Sequence, residues 1–421
     1  MVRLFVVALL VALLCGCAAQ PAAEELLRAP QLSPELSVVQ RALNAYLGES
    51  AQLKYPRGSE TSSPFLFSDL DGDGAQEAVV LYQSESKGLN VHLAILEKVN
   101  EEWVVTQEVE GPSTDVESIS QGNLQYGTTN ELLVLYSAAA AGAEDYLAVY
   151  SYVDDTLKEK SVWPCTGYLL EDLTGAGKQD VVMVREQNEQ LALTILTGTG
   201  DKLHLIPDFQ LDKRFYSCEA IAYFSKDKQH YIIVDGLDQS GYLISQLLCY
   251  DPQNKQLSPY LTADMQATVD LTARLKPGLL STDINNDGIV EIPVVEQEIT
   301  TVNSARRLSF VTWRDFTRKS NSVVQFGILD MEYGYFLRLP TALMGKIMVV
   351  DGIFSNSWQV CSLDGSRWYL NVTTYGKEKQ LPSYLQQYQQ LCMVGQTRVM
   401  VQLNQDYFKY PDIIFDGVYL V

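Results

Sequence analysis

FSDLDGDGAQEAVVLY, residues 67–82, joins a short apolar strand, a turn rich in Asp and Gly, and a second apolar strand. The same order of strand, polar turn and Val/Ile/Leu-rich strand recurs at intervals of about 50 residues. The further copies are SQGNLQYGTTNELLVLY (120–136), LEDLTGAGKQDVVMV (170–184), AYFSKDKQHYIIV (222–234) and STDINNDGIVEIPVV (281–295). A fixed period of this length predicts repeated units that pack against their neighbours.

Each interval contains four strand patterns separated by polar turns. In the first interval they are Phe65–Leu70, Ala78–Tyr82, Val91–Lys98 and Trp103–Glu110. Four short antiparallel strands in about 50 residues match one blade of a β-propeller. The second strand of each unit is apolar without alternation, which is typical of a strand covered on both faces. The sequence therefore predicts a mainly β protein with about five four-stranded blades over residues 64–330. A sandwich or a row of separate hairpins is the alternative.

The segments on either side of the repeats have different patterns. Ser33 as N-cap, Pro34 at the first helical position and Gly48 at the end predict a short N-terminal helix within the lead-in 33–63. Residues 331–421 mix strand patterns with the helix-like PSYLQQYQQL, which predicts a small C-terminal α+β module. A further pair of irregular blades is the alternative for this region.

The N-terminus predicts export and lipid anchoring. Arg3 precedes an unbroken apolar run over residues 4–14, which has the length of a signal-peptide core and is too short to span a bilayer. Cys17 follows Gly16, as in a bacterial lipobox, whereas Cys15 follows a leucine. We expect a lipoprotein signal peptide over 1–16, lipidation of Cys17, a tether over 17–32, and a cell-membrane location on the extracytoplasmic face. An uncleaved signal anchor is the alternative.

The amino-acid composition limits the classes of partner that the chain is expected to bind. The formal net charge is −21, from 31 Lys and Arg against 52 Asp and Glu, so the chain repels phosphate backbones and anionic lipid surfaces. We expect no nucleic-acid partner, a monomer, and contact with the membrane only through the lipid. Five further cysteines have no metal or redox spacing and are expected to be free thiols: Cys165, Cys218, Cys249, Cys361 and Cys392.

Two of the polar turns predict calcium sites. In each turn, oxygen-bearing side chains stand at positions 1, 3, 5 and 9, a glycine stands at position 6, and position 7 can offer its backbone carbonyl. The predicted ligands are Asp69, Asp71, Asp73, Ala75 and Glu77 in the first loop, and Asp283, Asn285, Asp287, Ile289 and Glu291 in the fifth. Unoccupied Asx-rich turns are the alternative. The third loop, from Asp172 to Asp180, lacks the position 5 ligand and carries Lys178, so metal binding there is left open.

The tandem units, each with a strand, the pattern D-x-[DN]-x-D-G-x-x-[DE] and a second strand, resemble the FG-GAP/VCBS repeats of integrin-like calcium-binding propellers. The chain more closely resembles VCBS-repeat lipoproteins of anaerobic Gram-positive bacteria. The stretches that carry this resemblance include LKYP (53–56), IIVDGLDQSG (232–241), DINNDGIVEIP (283–293) and YFLRLPTALMGKIMV (335–349). The resemblance implies a propeller whose hairpins are structured by calcium, and it implies no particular activity.

No catalytic motif emerges from the sequence. It has no G-x-S-x-G, H-E-x-x-H, Walker or dinucleotide-binding pattern, and its three histidines lie in strand patterns. We therefore expect a non-enzymatic binding or scaffold protein whose ligand is a protein, a peptide or a glycan. The alternative is an envelope enzyme that acts on polysaccharide or peptidoglycan through carboxylates at the mouth of the propeller.

Overall fold

The structure is a computed structural model. It describes residues 33–58, 63–124, 129–138, 144–200, 202–262, 265–275, 278–300, 307–318, 322–354, 356–377, 380, 382–404 and 418–420. These residues form one α-helix, three single-turn 3-10 helices and six antiparallel sheets. The predicted signal peptide and tether, including Cys17, lie outside the described residues.

Helix α1 spans Pro34–Leu47 and begins and ends as the sequence predicts. The Leu36 amide donates to Ser33 Oγ at 3.3 Å, which supplies a partner for one of the free N–H groups at the helix start. Gly48 ends the helix in the left-handed conformation with φ of 71°, which glycine adopts without steric cost. Val39 and Leu43 of α1 are completely buried against one face of the first sheet.

The first three sheets correspond to the first three repeats. Sheet 1 contains β1 (Gln52–Leu53), β2 (Phe65–Ser68), β3 (Glu77–Ser84), β4 (Gly88–Val99) and β5 (Glu102–Glu110). Sheet 2 contains β6 (Asp115–Gly122), β7 (Glu131–Ser137), β8 (Tyr146–Val153) and β9 (Thr156–Pro164). Sheet 3 contains β10 (Gly167–Glu171), β11 (Asp180–Gln187), β12 (Gln190–Thr199) and β13 (Lys202–Gln210). Sheets 2 and 3 are simple meanders, whereas β1 and β2 of sheet 1 both pair with β3.

The remaining strands form three more sheets. Sheet 4 contains β14 (Ala220–Lys226), β15 (Gln229–Leu237), β16 (Leu243–Asp251) and β17 (Gln256–Pro259). Sheet 5 contains β18 (Ile292–Thr300), β19 (Arg307–Asp315), β20 (Ser322–Asp330), β21 (Tyr335–Leu339) and β27 (Val418–Leu420). Sheet 6 contains β22 (Ile347–Asp351), β23 (Ser357–Ser362), β24 (Trp368–Gly376), β25 (Gln389–Val394) and β26 (Thr397–Leu403), with β26 between β24 and β25. The 3-10 helices are Thr268–Asp270, Thr341–Leu343 and Ser383–Leu385.

Several hairpins close with two residues that both have positive φ. Examples are Asn100–Glu101, Asp154–Asp155, Asn188–Glu189 and Asp227–Lys228, with φ values between 51° and 67°. Two successive residues in this region give a type I′ turn, whose twist matches that of the flanking strands. Asn and Asp tolerate this conformation better than other residues with a Cβ, which explains their place at the first turn position.

The sheets pack face to face in chain order. In β7, Leu132 and Val134 pack toward sheet 1, while the intervening Leu133 and Leu135 pack toward sheet 3. Because successive strand residues point to opposite faces, a strand between two sheets needs apolar residues throughout. Burial contributes roughly 1.5–3 kcal/mol for each such side chain. Further shared clusters join sheet 3 to 4, sheet 4 to 5, and sheet 5 to 6.

The mainly β class is confirmed, but the number of repeated sheets is six rather than five, and the C-terminal α+β module is wrong. The boundary predicted at residue 331 falls inside sheet 5, because β20 pairs with β21. Within 382–391 the structure has a single 3-10 turn, Ser383–Leu385, followed by strand β25. The apolar spacing in this segment looks helical, but pairing of β25 with the hairpin partner β26 outweighs that local pattern.

Candidate functional site

The first acidic loop connects β2 to β3, and its carboxylates are oriented by the loop's own amides. Asp69 Oδ1 and Oδ2 accept from the amides of Gly72 and Gly74 at 2.7 and 3.1 Å. Asp73 Oδ1 accepts from the Ala75 amide at 2.7 Å. Gly72 and Gly74 have φ of 82° and 92°, a left-handed conformation that glycine adopts without steric cost and that Asn286 adopts at the first of these positions in the fifth loop.

Three of the predicted ligands in this loop come together. One carboxylate oxygen from each of Asp69, Asp71 and Glu77 lies within 4.8 Å of the others, and no other group of three acidic, histidine or cysteine ligands this close exists among the described residues. Asp73 is exposed, and its carboxylate lies outside this group. Burial raises the pKa of Glu77; the Leu70 amide opposes this shift, and the charge of Asp71 adds to it. The loop therefore concentrates hard oxygen ligands around one point without a positive side chain among them.

The fifth loop repeats the same internal bonding. Asp283 accepts from the amides of Asp287 and Gly288 at 3.0 and 2.8 Å, and Asn285 Nδ2 donates to Asp287 at 3.0 Å. Glu291 is completely buried, and its Oε1 has no hydrogen-bond partner among the described residues. Burial raises the pKa of Glu291 to about 7, and the nearby Asp287 and Asp283 charges add to this shift. A buried carboxylate oxygen without a donor is costly unless a cation is supplied.

The acidic residue at position 9 of the repeated loop has a second role, which the loop pattern does not predict. Its Oε2 accepts the amide of position 2 in three repeats: Leu70 to Glu77 at 2.6 Å, Leu124 to Glu131 at 2.9 Å, and Ile284 to Glu291 at 3.1 Å. In the third repeat the shorter Asp180 accepts from Thr174 instead, at 2.8 Å. Because Glu131 belongs to a repeat without an acidic loop, this bond fastens the hairpin independently of any ion. The recurrence of an acid at this position across four repeats was the only sequence signal for this role.

In the third loop, the Lys178 side chain extends to Gly198, near the Leu124 carbonyl of the neighbouring sheet 2. Lys178 Nζ and the Leu124 carbonyl oxygen both lie next to Gly198, whose missing side chain leaves room for them. Burial raises the pKa of Glu131, and the charges of Lys160 and Lys178 partly offset this effect. Only 7% of the Lys178 surface is accessible to solvent, whereas Lys160 is exposed. The second repeat thus has a lysine close to its position 9 acid.

A cavity of about 660 Å³ lies where the first strands of sheets 2, 3 and 4 meet. Its walls include residues from β6, β10 and β14, together with Gly58 and Leu280. The lining also includes Leu135 of β7 and Asp145 just before β8, and no residue of the first or fifth acidic loop belongs to it. The carboxylates that line the cavity are Glu117, Asp145 and Glu219.

A buried ion pair that the sequence did not reveal joins sheet 4 to the chain entering sheet 5. Arg274 and Asp235 are both almost completely buried, with 3.2 Å between Nη2 and Oδ1. Arg274 also donates to the carbonyl oxygens of Thr272 and Leu279, and the Ser281 amide donates to Asp235 at 2.5 Å. Asp235 belongs to the stretch IIVDGLDQSG, which carries part of the family resemblance. Nothing in that stretch predicts an ion pair with Arg274.

The cysteines, tryptophans and histidines of the repeats lie in structural positions. Cys165, Cys218, Cys249, Cys361 and Cys392 are free thiols, as predicted. Trp103 and Trp313 are buried in core clusters, and Trp163 packs against the cluster between sheets 2 and 3. His92 lies 3.1 Å from Glu108, and His230 lies 2.8 Å from the Tyr223 hydroxyl. Within the described residues, no helix has both the length and the apolar character needed to cross a bilayer.

Comparison with known proteins adds little. No family model matches the chain, and no curated protein matches it. Among solved structures, the chain is similar to a hypothetical protein from Leishmania major, with 10% sequence identity and a TM-score of 0.25. The match covers 64% of this chain and 89% of that one.

Proposed function

We propose that this chain is a lipid-anchored extracytoplasmic binding protein, a β-propeller of the FG-GAP/VCBS type stabilised by calcium at two loops. The observation that carries the proposal is the convergence of Asp69, Asp71 and Glu77 oxygens within 4.8 Å in a repeated loop. The buried, unpartnered oxygen of Glu291 supports the same role for the fifth loop. Face-to-face packing in chain order and first strands that share a cavity support a radial arrangement of the sheets.

Calcium suits this ligand set better than other common cations. Ca²⁺ takes six to eight oxygen ligands in flexible geometry, and carboxylates, amide oxygens and backbone carbonyls all serve. Mg²⁺ requires near-ideal octahedral geometry and keeps several waters. Zn²⁺ sites favour His and Cys ligands, which neither loop contains. In this proposal the ion stabilises the hairpins and takes part in no reaction, and the protein binds a ligand without converting it.

Calcium binding is tested by titration calorimetry and by thermal melting of the metal-free chain. We expect about two equivalents of calcium, and a larger rise in melting temperature with calcium than with equal magnesium. At a free concentration tenfold above a dissociation constant of roughly 10⁻⁴–10⁻³ M, each site adds about 1.4 kcal/mol to the free energy of unfolding. Asp71→Ala and Asp287→Ala should each remove most of one site's contribution, because Asp71 belongs to the converging group and Asp287 is a predicted ligand of the fifth loop.

Asp251→Ala is the matched control for these substitutions. Asp251 Oδ1 accepts from the amides of Gln253 and Asn254, so its loss removes an Asx turn without removing a predicted ligand. We expect this variant to keep the full calcium response. Absence of binding heat, together with a melting curve that a chelator does not change, would contradict calcium binding and leave the loops as acidic turns.

Anchoring is tested separately at the N-terminus. Cells that express Cys17→Ala should accumulate precursor that incorporates no labelled palmitate, because the modified thiol is gone. Cys15→Ala is the matched control and should be labelled normally. Label that persists in Cys17→Ala and disappears in Cys15→Ala would show that the lipidated residue was misassigned.

A further inference from the structure

The cavity between the first strands of sheets 2, 3 and 4 has the size of a small-molecule site. Pockets that hold small ligands have volumes of roughly 300–1,000 Å³, and this one has about 660 Å³. Rigid strands from three sheets build its wall, which suits a preformed site better than a loop would.

Three carboxylates line this cavity. Glu117 lies near the start of β6, Glu219 just before β14, and Asp145 just before β8. No Lys, Arg or His is among the residues that line the cavity in the described part of the chain. The nearby Arg57 guanidinium pairs with Asp115, which lies outside the lining.

Two of these carboxylates are held in place by the protein. Ser137 Oγ donates to Glu117 Oε1 at 2.6 Å, and the Ala138 amide donates to Asp145 Oδ1 at 2.7 Å. Each therefore has one oxygen fixed by a described donor and a second oxygen with no such donor. Burial raises the pKa of Asp145, and the charge of Glu117 adds to this shift, while the Ala138 amide and the charge of Arg57 oppose it. Glu117 and Asp145 are therefore near each other, with Arg57 close enough to offset part of their charge.

Away from the carboxylates, the lining is apolar and hydroxylated. Ile119, Leu170, Ile221 and Leu280 contribute hydrocarbon surface. Ser120 and Tyr168 contribute hydroxyl groups that lie 2.7 Å apart. A ligand complementary to this lining would carry both a positive charge and a hydrocarbon segment.

We infer that this cavity binds alkylammonium groups, the chemistry shared by free polyamines and lysine side chains. A protonated amine would occupy the space near Glu117 and Asp145, where it would relieve the repulsion between them. The attached carbon chain would lie against the apolar wall. This inference does not depend on calcium, since none of the predicted calcium ligands lines the cavity.

The test is calorimetric titration of the full chain, in buffer with calcium, using spermidine as the probe. We expect one equivalent of spermidine to bind, and the neutral 1,8-octanediol of similar length to bind at least tenfold more weakly. Nα-acetyl-lysine methylamide is the second probe: its binding assigns the site to lysine side chains as well, and its failure to bind assigns the site to free polyamines.

Charge-removing variants tie the binding to the cavity. Glu117→Gln and Asp145→Asn should each weaken spermidine binding at least tenfold. Glu219→Gln should also weaken it, and because Glu219 is exposed this variant should fold normally. The control is Glu159→Gln, which removes the same charge from the exposed outer strand β9 of sheet 2. Three outcomes would overturn the inference. The first is equal weakening of spermidine binding in the control variant, and the second is no binding at millimolar spermidine. The third is binding of more than one equivalent that Glu117→Gln does not change.

Discussion

At the scale of single residues, the position 9 acid shows how one side chain serves both hairpin and ion. One oxygen of Glu291 accepts the Ile284 amide at 3.1 Å, and the other is buried without a partner among the described residues. Glu131 makes the same amide bond in a repeat that lacks the acidic loop. A glutamine could keep the amide bond in both places, but it could not neutralise a cation.

Glu291→Gln should therefore stabilise the metal-free protein and reduce its response to calcium. The pKa of Glu291 is raised to about 7 from an ordinary value near 4.5, so the metal-free wild type loses stability as pH rises between these values. At pH 8 the variant should gain about 2 kcal/mol in free energy of unfolding, and at pH 4 this gain should disappear. Urea unfolding with chelator at both pH values measures it.

Glu131→Gln is the comparison for this variant. It removes a buried carboxylate at the equivalent position, yet it should leave the calcium-induced rise in melting temperature unchanged. An equal loss of calcium response in both variants would show that the response comes from hairpin stability in general and not from ligation in the fifth loop.

At the scale of elements, the sequence predicts strands well and their assembly less well. The four strands of the first interval agree with β2 to β5 within a few residues, because dense Val, Ile and Leu runs end at polar turns. For the region of sheet 6 the sequence predicts an α+β module, with irregular blades only as the alternative, because none of its turns carries the acidic pattern. Its strand order also places β26 between β24 and β25, a non-local pairing that no local signal specifies.

Candidate site residues show the same limit. The loop ligands follow from spacing along the chain, since all belong to one turn of nine residues. Glu117 and Asp145 of sheet 2 and Glu219 next to sheet 4 line one cavity only because of how the sheets pack, and Asp235 meets Arg274 across 39 residues of chain. Contacts of this kind depend on register and packing, which sequence patterns of a single chain do not determine.

The third turn supplies a prediction at this scale. Lys178 extends from the turn before β11 toward the position 9 acid of sheet 2, so it acts between elements. Lys178→Met should lower the free energy of unfolding by about 2 kcal/mol, because a buried carboxylate loses a nearby positive charge. Lys160→Met should cost less than about 0.5 kcal/mol, since solvent screens an exposed lysine.

A double-mutant cycle identifies the partner of Lys178. In a Glu131→Gln background, Lys178→Met should lose most of its effect, because no buried charge remains to be offset. A cost that is the same in both backgrounds would mean that the lysine contributes through packing of its carbon chain instead. Urea unfolding of the four proteins measures the coupling.

At the scale of the whole molecule, six sheets share faces in an unbroken series, and helix α1 covers one face of the first sheet. In linear repeat arrays, stability is a sum of unit and interface terms, so distant units can unfold separately. The shared clusters here are large, and the Asp235–Arg274 pair adds a buried polar joint between sheet 4 and the segment entering sheet 5. We therefore expect the sheets to unfold as one cooperative unit.

Asp235→Asn tests this expectation, because it damages a joint in the middle of the series. Removing one partner of a buried ion pair leaves the other charge uncompensated and costs about 3–5 kcal/mol. Two versions of the protein, retaining only Trp103 of sheet 1 or only Trp358 of sheet 6, report unfolding at the two ends by fluorescence. In a cooperative molecule the urea midpoint falls equally for both reporters.

The control is Asp208→Asn, which breaks a partly exposed pair with Arg185. It should lower the free energy of unfolding seen by both reporters by only about 1 kcal/mol. Midpoints that separate in Asp235→Asn would show that the molecule unfolds in at least two parts divided at this joint.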